Sequence, residues 1–208
     1  MTHGISKSPR AALCVLLVLL VSACAGKTPP TRYYVLDPVS KSAAATPAQA
    51  QAGPVVGVMT VDLPEYLNQP GITTRGPANE VVRADFDQWA GPLADEVTRV
   101  VSENLSRMLP SDRVTAAAGS RSIPPDFVVE IEIARFELDQ KGAVQLIARW
   151  TVLRDSDQSL LAMRTSRISR PVAQAGYNGT VNAMSGALAD LCRQISDVIT
   201  GARQPVQN

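Results

Sequence analysis

The sequence predicts an α/β fold of the α+β type: a single domain in which a mixed, largely antiparallel sheet of about five or six strands carries two amphipathic helices on one face. Segments 92–109 and 181–200 repeat apolar residues at steps of three and four, the period of a helix with one buried face. Segments 127–138 and 144–154 alternate apolar and polar residues, as half-buried strands do. The valine-rich segment 54–63 is typical of a buried strand.

The first half of the predicted domain, residues 32–203, contains short strands and turns. Residues 32–36 form a compact strand that an Asp-Pro pair ends. Residues 40–53 are rich in Ala and Gln and contain no large apolar side chain, so a low-complexity loop is predicted there. After the valine-rich strand, two short strands are predicted at 72–75 and 80–83, between Pro-Gly and Gly-Pro turn signals.

The second half completes the sheet. A short strand is predicted at 113–116, and the long hairpin is expected to turn around residues 139–142, which contain Asp and Gly. Residues 160–169 then complete an antiparallel meander before the last helix. Residues 204–208 are predicted to be a loose tail.

The N-terminal segment is typical of an export signal. Lys7 and Arg10 precede eleven consecutive apolar residues, 11–21. A bilayer-spanning helix needs roughly 20 apolar residues, so this run is too short to span but has the length of a signal-peptide core. The sequence therefore predicts a signal peptide at residues 1–23.

The end of this segment resembles the bacterial lipobox, in which a cysteine thiol accepts a diacylglycerol before cleavage. Val-Ser-Ala at 21–23 precedes Cys24, which predicts Cys24 as the lipidated first residue of the mature protein and residues 24–31 as a tether. This covalent lipid is the only attached group expected, with no other cofactor. The alternative is an ordinary secretory signal with an incidental cysteine. Residue 25 is Ala, not the Asp that tends to retain lipoproteins in the inner membrane, which favours the outer membrane, facing the periplasm.

Composition excludes several classes of function. A net charge of +1 and an aromatic content of 4% provide neither a basic footprint nor stacking platforms for nucleic acid. The one histidine, His3, lies in the predicted signal peptide, so the mature chain has no histidine for a catalytic triad or a metal site. Its two cysteines are Cys24 and Cys192, too few for a four-cysteine metal site. Apolar neighbours at helical spacing predict that the Cys192 thiol is buried.

One enzymatic hypothesis remains, a lipid-anchored hydrolase. Glu130 and Glu132 lie two residues apart on a predicted strand, so their carboxylates share a face, as a paired acid-base site requires. The alternative is a solvated strand face opposite Val129, Ile131 and Ile133. The alternation of the segment favours this second interpretation.

Three stretches together resemble the PqiC-like family of ABC-type transport auxiliary lipoproteins. The first is RYYVLDP at 32–38, and the second is VVGVMTVDLPEYLNQPGITTR at 55–75. The third is FDQWAGPLADEVTRVVSENLSRML at 86–109, and an Arg-Trp pair at 149–150 fits a late strand of the family. The positions that match the family pattern are Leu63, Pro64, Tyr66, Leu67, Pro70, Ile72, Arg75, Trp89, Ala90, Pro92 and Leu93.

The resemblance implies a non-enzymatic role. Such lipoproteins work beside MCE-domain proteins, which form periplasmic conduits for phospholipid or other hydrophobic molecules, together with inner-membrane transporter components. The lipoprotein is expected to dock the conduit at the outer membrane and to support membrane integrity; its partners are then the MCE-domain protein, the transporter, membrane lipid through Cys24 and further copies of itself. The alternative is a lipoprotein adaptor of another envelope machine, serving outer-membrane assembly or activation of a cell-wall synthase.

Tyr66, Pro70, Arg75 and Trp89 are the candidates for a partner-docking surface, because Tyr, Trp and Arg dominate interface hot spots. The alternative is structural: Pro70 and Gly71 shape a turn while Tyr66 and Trp89 close the core. The apolar helix stripes have the same two interpretations, since they could line a lipid groove or pack the core.

Overall fold

The computed structural model describes residues 29–40, 46–116 and 123–203. The chain divides into two units, Met1–Pro30 and Thr31–Asn208, and every helix and strand below belongs to the second. The predicted signal peptide at 1–23, the lipidation site Cys24, most of the 24–31 tether and the tail at 204–208 lie outside the described residues, so these remain predictions.

The described residues contain eight strands and three α-helices in mixed order. The strands are β1 (Arg32–Tyr34), β2 (Val56–Val58), β3 (Gly71–Arg75), β4 (Val81–Trp89), β5 (Val114–Ala116), β6 (Phe127–Leu138), β7 (Ala143–Arg154) and β8 (Ser159–Pro171). The helices are α1 (Pro47–Ala52), α2 (Leu93–Met108) and α3 (Tyr177–Arg203), and a short 3₁₀ turn, Pro77–Asn79, connects β3 to β4.

The long antiparallel meander β6–β7–β8 is the framework of the sheet and confirms the predicted hairpin. β6 and β7 pair from Phe127↔Arg154 to Leu138↔Val144, and β7 pairs β8 along nearly its whole length. One face of β6 and one face of β7 are buried, as the alternation predicts. A register shift between Ile133 and Arg135 interrupts this alternation in β6.

Short strands on the other edge of β6 make the sheet larger than predicted. β2 pairs β6 in parallel near Phe127, and β3 pairs it in parallel at Thr74↔Leu138. β5 extends β2 in parallel, while β4 pairs antiparallel to β3 and parallel to β1. The total of five or six strands was therefore too low, although a strand was predicted at each of these short segments, because nothing in a three-residue segment shows that a distant strand completes it as part of the same sheet.

Helices α2 and α3 pack against each other and on the sheet, with α3 over β7 and β8. Their apolar stripes are buried in the main core, which supports the core-packing interpretation and not the lipid groove. The stripe residues in the core are Leu93, Val97, Val100, Val101, Leu105, Met184, Leu188, Leu191 and Ile195. No helix among the described residues combines the length and apolarity that crossing a membrane requires.

The predicted loop at 40–53 needs one correction, because its second part forms helix α1, Pro47–Ala52. Ala and Gln are good helix formers, so a sequence without large side chains still forms a helical turn when a neighbour holds it. Ala50 is buried, and its carbonyl oxygen accepts the backbone N–H of Asp112 at 3.2 Å. Residues 41–45 lie outside the description.

Candidate functional site

The four candidate docking residues lie around strand β3. Tyr66 is in the turn that precedes β3, Pro70 is directly before the strand, and Arg75 is its last residue. Trp89 ends β4, and its backbone N–H donates to the Pro70 carbonyl oxygen at 2.7 Å. Pro70 is exposed, Tyr66 and Arg75 are half-buried, and Trp89 is buried in the core.

Two of these residues meet on a third that the sequence analysis missed, Glu137 of β6. The Tyr66 hydroxyl donates to Glu137 Oε2 at 3.0 Å. Arg75 donates to Glu137 Oε1 from Nε at 3.1 Å and from Nη2 at 2.8 Å. The Arg75 guanidinium also lies over the Tyr66 ring, 5.6 Å from its centroid, a cation–π arrangement. We call Tyr66, Arg75, Arg135 and Glu137 the motif cluster.

The Glu137 side chain is fully buried, so its charge depends on the groups around it. Arg135 donates to the same Oε1 from Nε at 2.8 Å, and the backbone N–H of Phe136 donates to Oε2 at 3.3 Å. Hydrogen bonding to Glu137 raises the pKa of Arg75, and burial raises the pKa of Tyr66. Tyr66 therefore keeps its hydroxyl proton and Arg75 its charge at physiological pH, which suits a rigid tie between a loop and the sheet.

The same loop is held to the helical layer as well. Asn68 accepts the backbone N–H of Ala94 at 3.3 Å, which satisfies one of the free N–H groups in the first turn of α2. Thr73 donates to the carbonyl oxygen of Tyr66 at 3.3 Å. The loop is thus fixed against both β3 and α2.

A groove of about 500 Å³ opens beside this loop. We call it the motif groove, and its lining residues are Glu65, Tyr66, Gln69, Thr73, Val81 and Arg83. Val81 at its lip is 40% exposed although it is a large apolar residue. Tyr66 therefore has two roles in the geometry, since its hydroxyl binds Glu137 while the residue lines an open surface.

A second buried carboxylate connects β1 to β4. Asp87 accepts the Tyr34 hydroxyl at 2.7 Å and lies 2.8 Å from Nη2 of Arg32. The hydrogen bond from Arg32 lowers the pKa of Asp87 below its ordinary value of 3.8. The first strand of the domain is thus attached by side-chain contacts in addition to its ladder with β4.

We expect the difference in free energy of unfolding between the wild type and Asp87→Asn to become smaller as the pH falls. The folded-state pKa of Asp87 is lowered, so its contribution is present above 3.8 and is lost as the pH falls through the folded value. Urea unfolding midpoints between about pH 6 and pH 2 test this. Asp85→Asn, an exposed change on the same strand, is the control and should leave a small gap throughout. A gap for Asp87→Asn that stays constant with pH would contradict the assignment.

Glu130 and Glu132 lie where the solvated-face interpretation predicts. Both are exposed, opposite the buried Val129, Ile131 and Ile133. Glu132 pairs with Arg149 at 3.4 Å on the surface, and both glutamates line a shallow groove of about 300 Å³. In the part of the chain that the structure describes, no three acidic, histidine or cysteine side chains are grouped so that they could hold a metal ion.

Cys192 is fully buried in α3, as its apolar neighbours predict. Burial raises the pKa of its thiol to about 12. At neutral pH the thiolate that reactive cysteines require is therefore scarcely populated.

The sequence partly indicated that Glu137 is buried. Strict alternation from Val129 onward would place Arg135 and Glu137 on the apolar face, an arrangement that two opposite charges adopt only when paired. The register shift after Ile133 instead brings Phe136 to the core and Glu137 to the motif cluster. Arg135 is a local partner of Glu137, but Arg75 and Tyr66 lie 62 and 71 residues away in the chain, so no local pattern could identify these two.

The family model described as ABC-type transport auxiliary lipoprotein component matches residues 34–196. The chain belongs to this family. The match confirms the resemblance carried by the three sequence stretches, and the motif cluster lies within the matched range.

Individual relatives of this auxiliary lipoprotein are similar to it in sequence and in fold. It is 24% identical over 187 residues to the intermembrane transport lipoprotein PqiC of Escherichia coli K12, covering 90% of this chain and 96% of that protein. A crystal structure of a Xanthomonas campestris protein of family DUF330 shares the fold, with a TM-score of 0.62, 23% identity and coverage of 83% of this chain and 98% of that one. A second crystal structure, of an uncharacterized protein, gives a TM-score of 0.67 at 21% identity, with coverage of 82% and 99%.

Proposed function

We propose that this auxiliary lipoprotein is a non-catalytic subunit of an MCE-type ABC transport system that moves phospholipid or other hydrophobic molecules across the periplasm. The observation that carries the proposal is the family match over residues 34–196, together with a relative named as an intermembrane transport lipoprotein. The protein would dock the MCE conduit at the outer membrane and so support membrane integrity. In this proposal the protein binds and positions the conduit, and other components of the system drive transport.

The proposed anchor is the acylated Cys24. Each buried CH₂ of an acyl chain contributes about 0.8 kcal/mol to membrane binding, so several chains on one residue hold the protein stably. Because acylation precedes cleavage, replacement of Cys24 by Ser is expected to give an unacylated chain that keeps residues 1–23 and is lost from the outer-membrane fraction. Intact-protein mass spectrometry and fractionation measure both effects. A Cys24→Ser protein that still sediments with outer membranes would contradict the proposed anchor.

The proposed docking surface is the motif groove with the exposed Pro70 beside it. Tyr66 lines the groove, the half-buried Arg75 lies over the Tyr66 ring, and Trp89 supports the entry to β3 from the core side. Fixed aromatic and arginine side chains are effective contact residues, because little conformational entropy is lost when the partner binds. Glu137 and Asn68 hold the loop in this fixed position. Self-association of the lipoprotein is part of the proposal as well.

The experiment that tests docking is site-specific photo-crosslinking in intact cells. A photoreactive residue replaces Val81 at the lip of the motif groove, and the matched control replaces Leu160, an exposed apolar residue on β8. We expect an MCE-domain protein to be captured from position 81 and not from position 160. Capture of an outer-membrane assembly factor or a cell-wall synthase from position 81 would favour another envelope machine. Equal capture of the MCE-domain protein from both positions would contradict the assigned surface.

The hydrolase hypothesis has no support in the geometry of the two glutamates. They are exposed and solvated, and the family described by the match is one of transport auxiliary components. A double Gln replacement at 130 and 132 is therefore expected to leave function unchanged.

A further inference from the structure

We propose that the outward side of β1 and of the residue that follows it, formed by Tyr33 and Val35, lies in the headgroup region of the bilayer that holds the N-terminus. The inference rests on the proposed acylation of Cys24. It adds a specific membrane-contact surface to the folded domain, so that the domain is oriented on the membrane as well as tethered to it.

The first observation is the division of this segment into two sides. Tyr34 and Leu36 face inward: the Tyr34 hydroxyl binds Asp87, and Leu36 is fully buried. Tyr33 and Val35 alternate with them and are 67% and 47% exposed. Among the described residues β1 pairs with β4 alone, so it is an edge strand there. Two large apolar side chains thus project from the solvent-exposed face of this edge segment.

The second observation is the position of this edge along the chain. Arg32 follows Cys24 by eight residues, a length of chain that spans at most about 29 Å when fully extended. β1 is the first strand among the described residues, and the chain holds it within that distance of the acylated residue. From Cys24 to Leu36 the chain contains Lys27 and Arg32 and no acidic residue; Arg32 shares its charge with Asp87, so Lys27 supplies the charge complementary to the phosphates of phospholipid headgroups.

The size of the patch favours a bilayer over a protein partner. Two side chains cover far less than the roughly 800 Å² that each partner buries in a stable protein interface. Next to an acyl anchor a small contact is sufficient, because the anchor already confines the domain at the surface. Tyr is well suited to this depth, since its ring is apolar and its hydroxyl remains hydrated at the headgroup level.

The test measures the depth of a nitroxide label on the full acylated protein, reconstituted in vesicles of phosphatidylethanolamine and phosphatidylglycerol. Tyr33→Cys and Val35→Cys each introduce one reactive thiol, because acylation blocks the Cys24 sulfur and the Cys192 thiol is buried with its pKa raised to about 12. Met163→Cys is the matched control, since Met163 is 62% exposed on β8. Accessibility to oxygen, which concentrates in lipid, is compared with accessibility to a water-soluble nickel chelate.

We expect labels at 33 and 35 to lose nickel accessibility on vesicle binding and to gain oxygen accessibility, while the label at 163 remains water-like. Water-like labels at 33 and 35 on protein that floats with the vesicles would overturn the contact surface and leave the anchor intact. Spin–spin broadening that disappears on dilution with unlabelled protein would overturn it in favour of a second copy. Protein that lacks the acyl mass and does not float would show that the proposed anchor itself is wrong, and the contact surface with it.

Discussion

Replacement of Glu137 by Gln is expected to lower the free energy of unfolding by about 3 kcal/mol, because it removes the buried negative charge that Arg75 and Arg135 share. The amide oxygen of Gln can replace one carboxylate oxygen as an acceptor, but the amide nitrogen cannot accept the hydrogen bonds that Tyr66 and the Phe136 N–H donate to Oε2. The two guanidiniums are partly exposed, which keeps the expected loss at the lower end of the range for broken buried pairs.

Glu132→Gln is the matched control, on the same strand and with the same change. Glu132 pairs with Arg149 on the surface, where an ion pair contributes about 0 to 1 kcal/mol. Urea unfolding of a chain that begins at Ala25, with both variants at the same salt concentration, gives the comparison. Equal stabilities of the two variants would mean that the motif cluster does not hold the loop as the distances indicate. The same Gln change should also weaken crosslinking from Val81 under conditions where the fold persists, since the loop lines the motif groove.

Gly71→Ala is expected to destabilise the protein by about 3 kcal/mol, because a side chain at this position has no space. A Cβ at Gly71 would lie 2.3 Å from the carbonyl oxygen of Ala84 and 2.6 Å from Cγ of Arg83. The arginine side chain can move, but the Ala84 oxygen belongs to the backbone of the adjoining strand. Gly71 stands where the β3–β4 register shifts, so the close approach is part of the way the two strands pair.

Gly91→Ala provides the control for this prediction. No atom comes within 4 Å of a Cβ at Gly91, so its free energy of unfolding should change by no more than about 0.5 kcal/mol. Thermal or urea unfolding measures the stability of both variants. Circular dichroism in the far and near ultraviolet, recorded without denaturant, confirms that each variant is folded at the start. If Gly71→Ala unfolds together with Gly91→Ala, the β3–β4 contact is looser than the distances indicate.

The long elements of this protein were predictable because each carries its own period. The stripe of α2 and the alternation of β6 and β7 are repeated often enough for local sequence to identify both the element and its buried face. Helix α3 was also predicted, although it begins at Tyr177 rather than near residue 181. Helix α1 was not, since a run of Ala and Gln becomes helical only when a neighbour such as Asp112 holds it.

What the sequence by itself determined is therefore the helix and strand periods, the resemblance to a lipobox at Cys24 and the lack of histidine chemistry after it. The family motif was also visible in the sequence, but the contacts that its residues make were not. Only the tertiary structure decided that Tyr66 and Arg75 meet on Glu137 and that the edge of β1 exposes Tyr33. The physical reason is that a period reports contacts within one element, whereas the partner of a buried charge and the free edge of a strand depend on which distant segments pair with it.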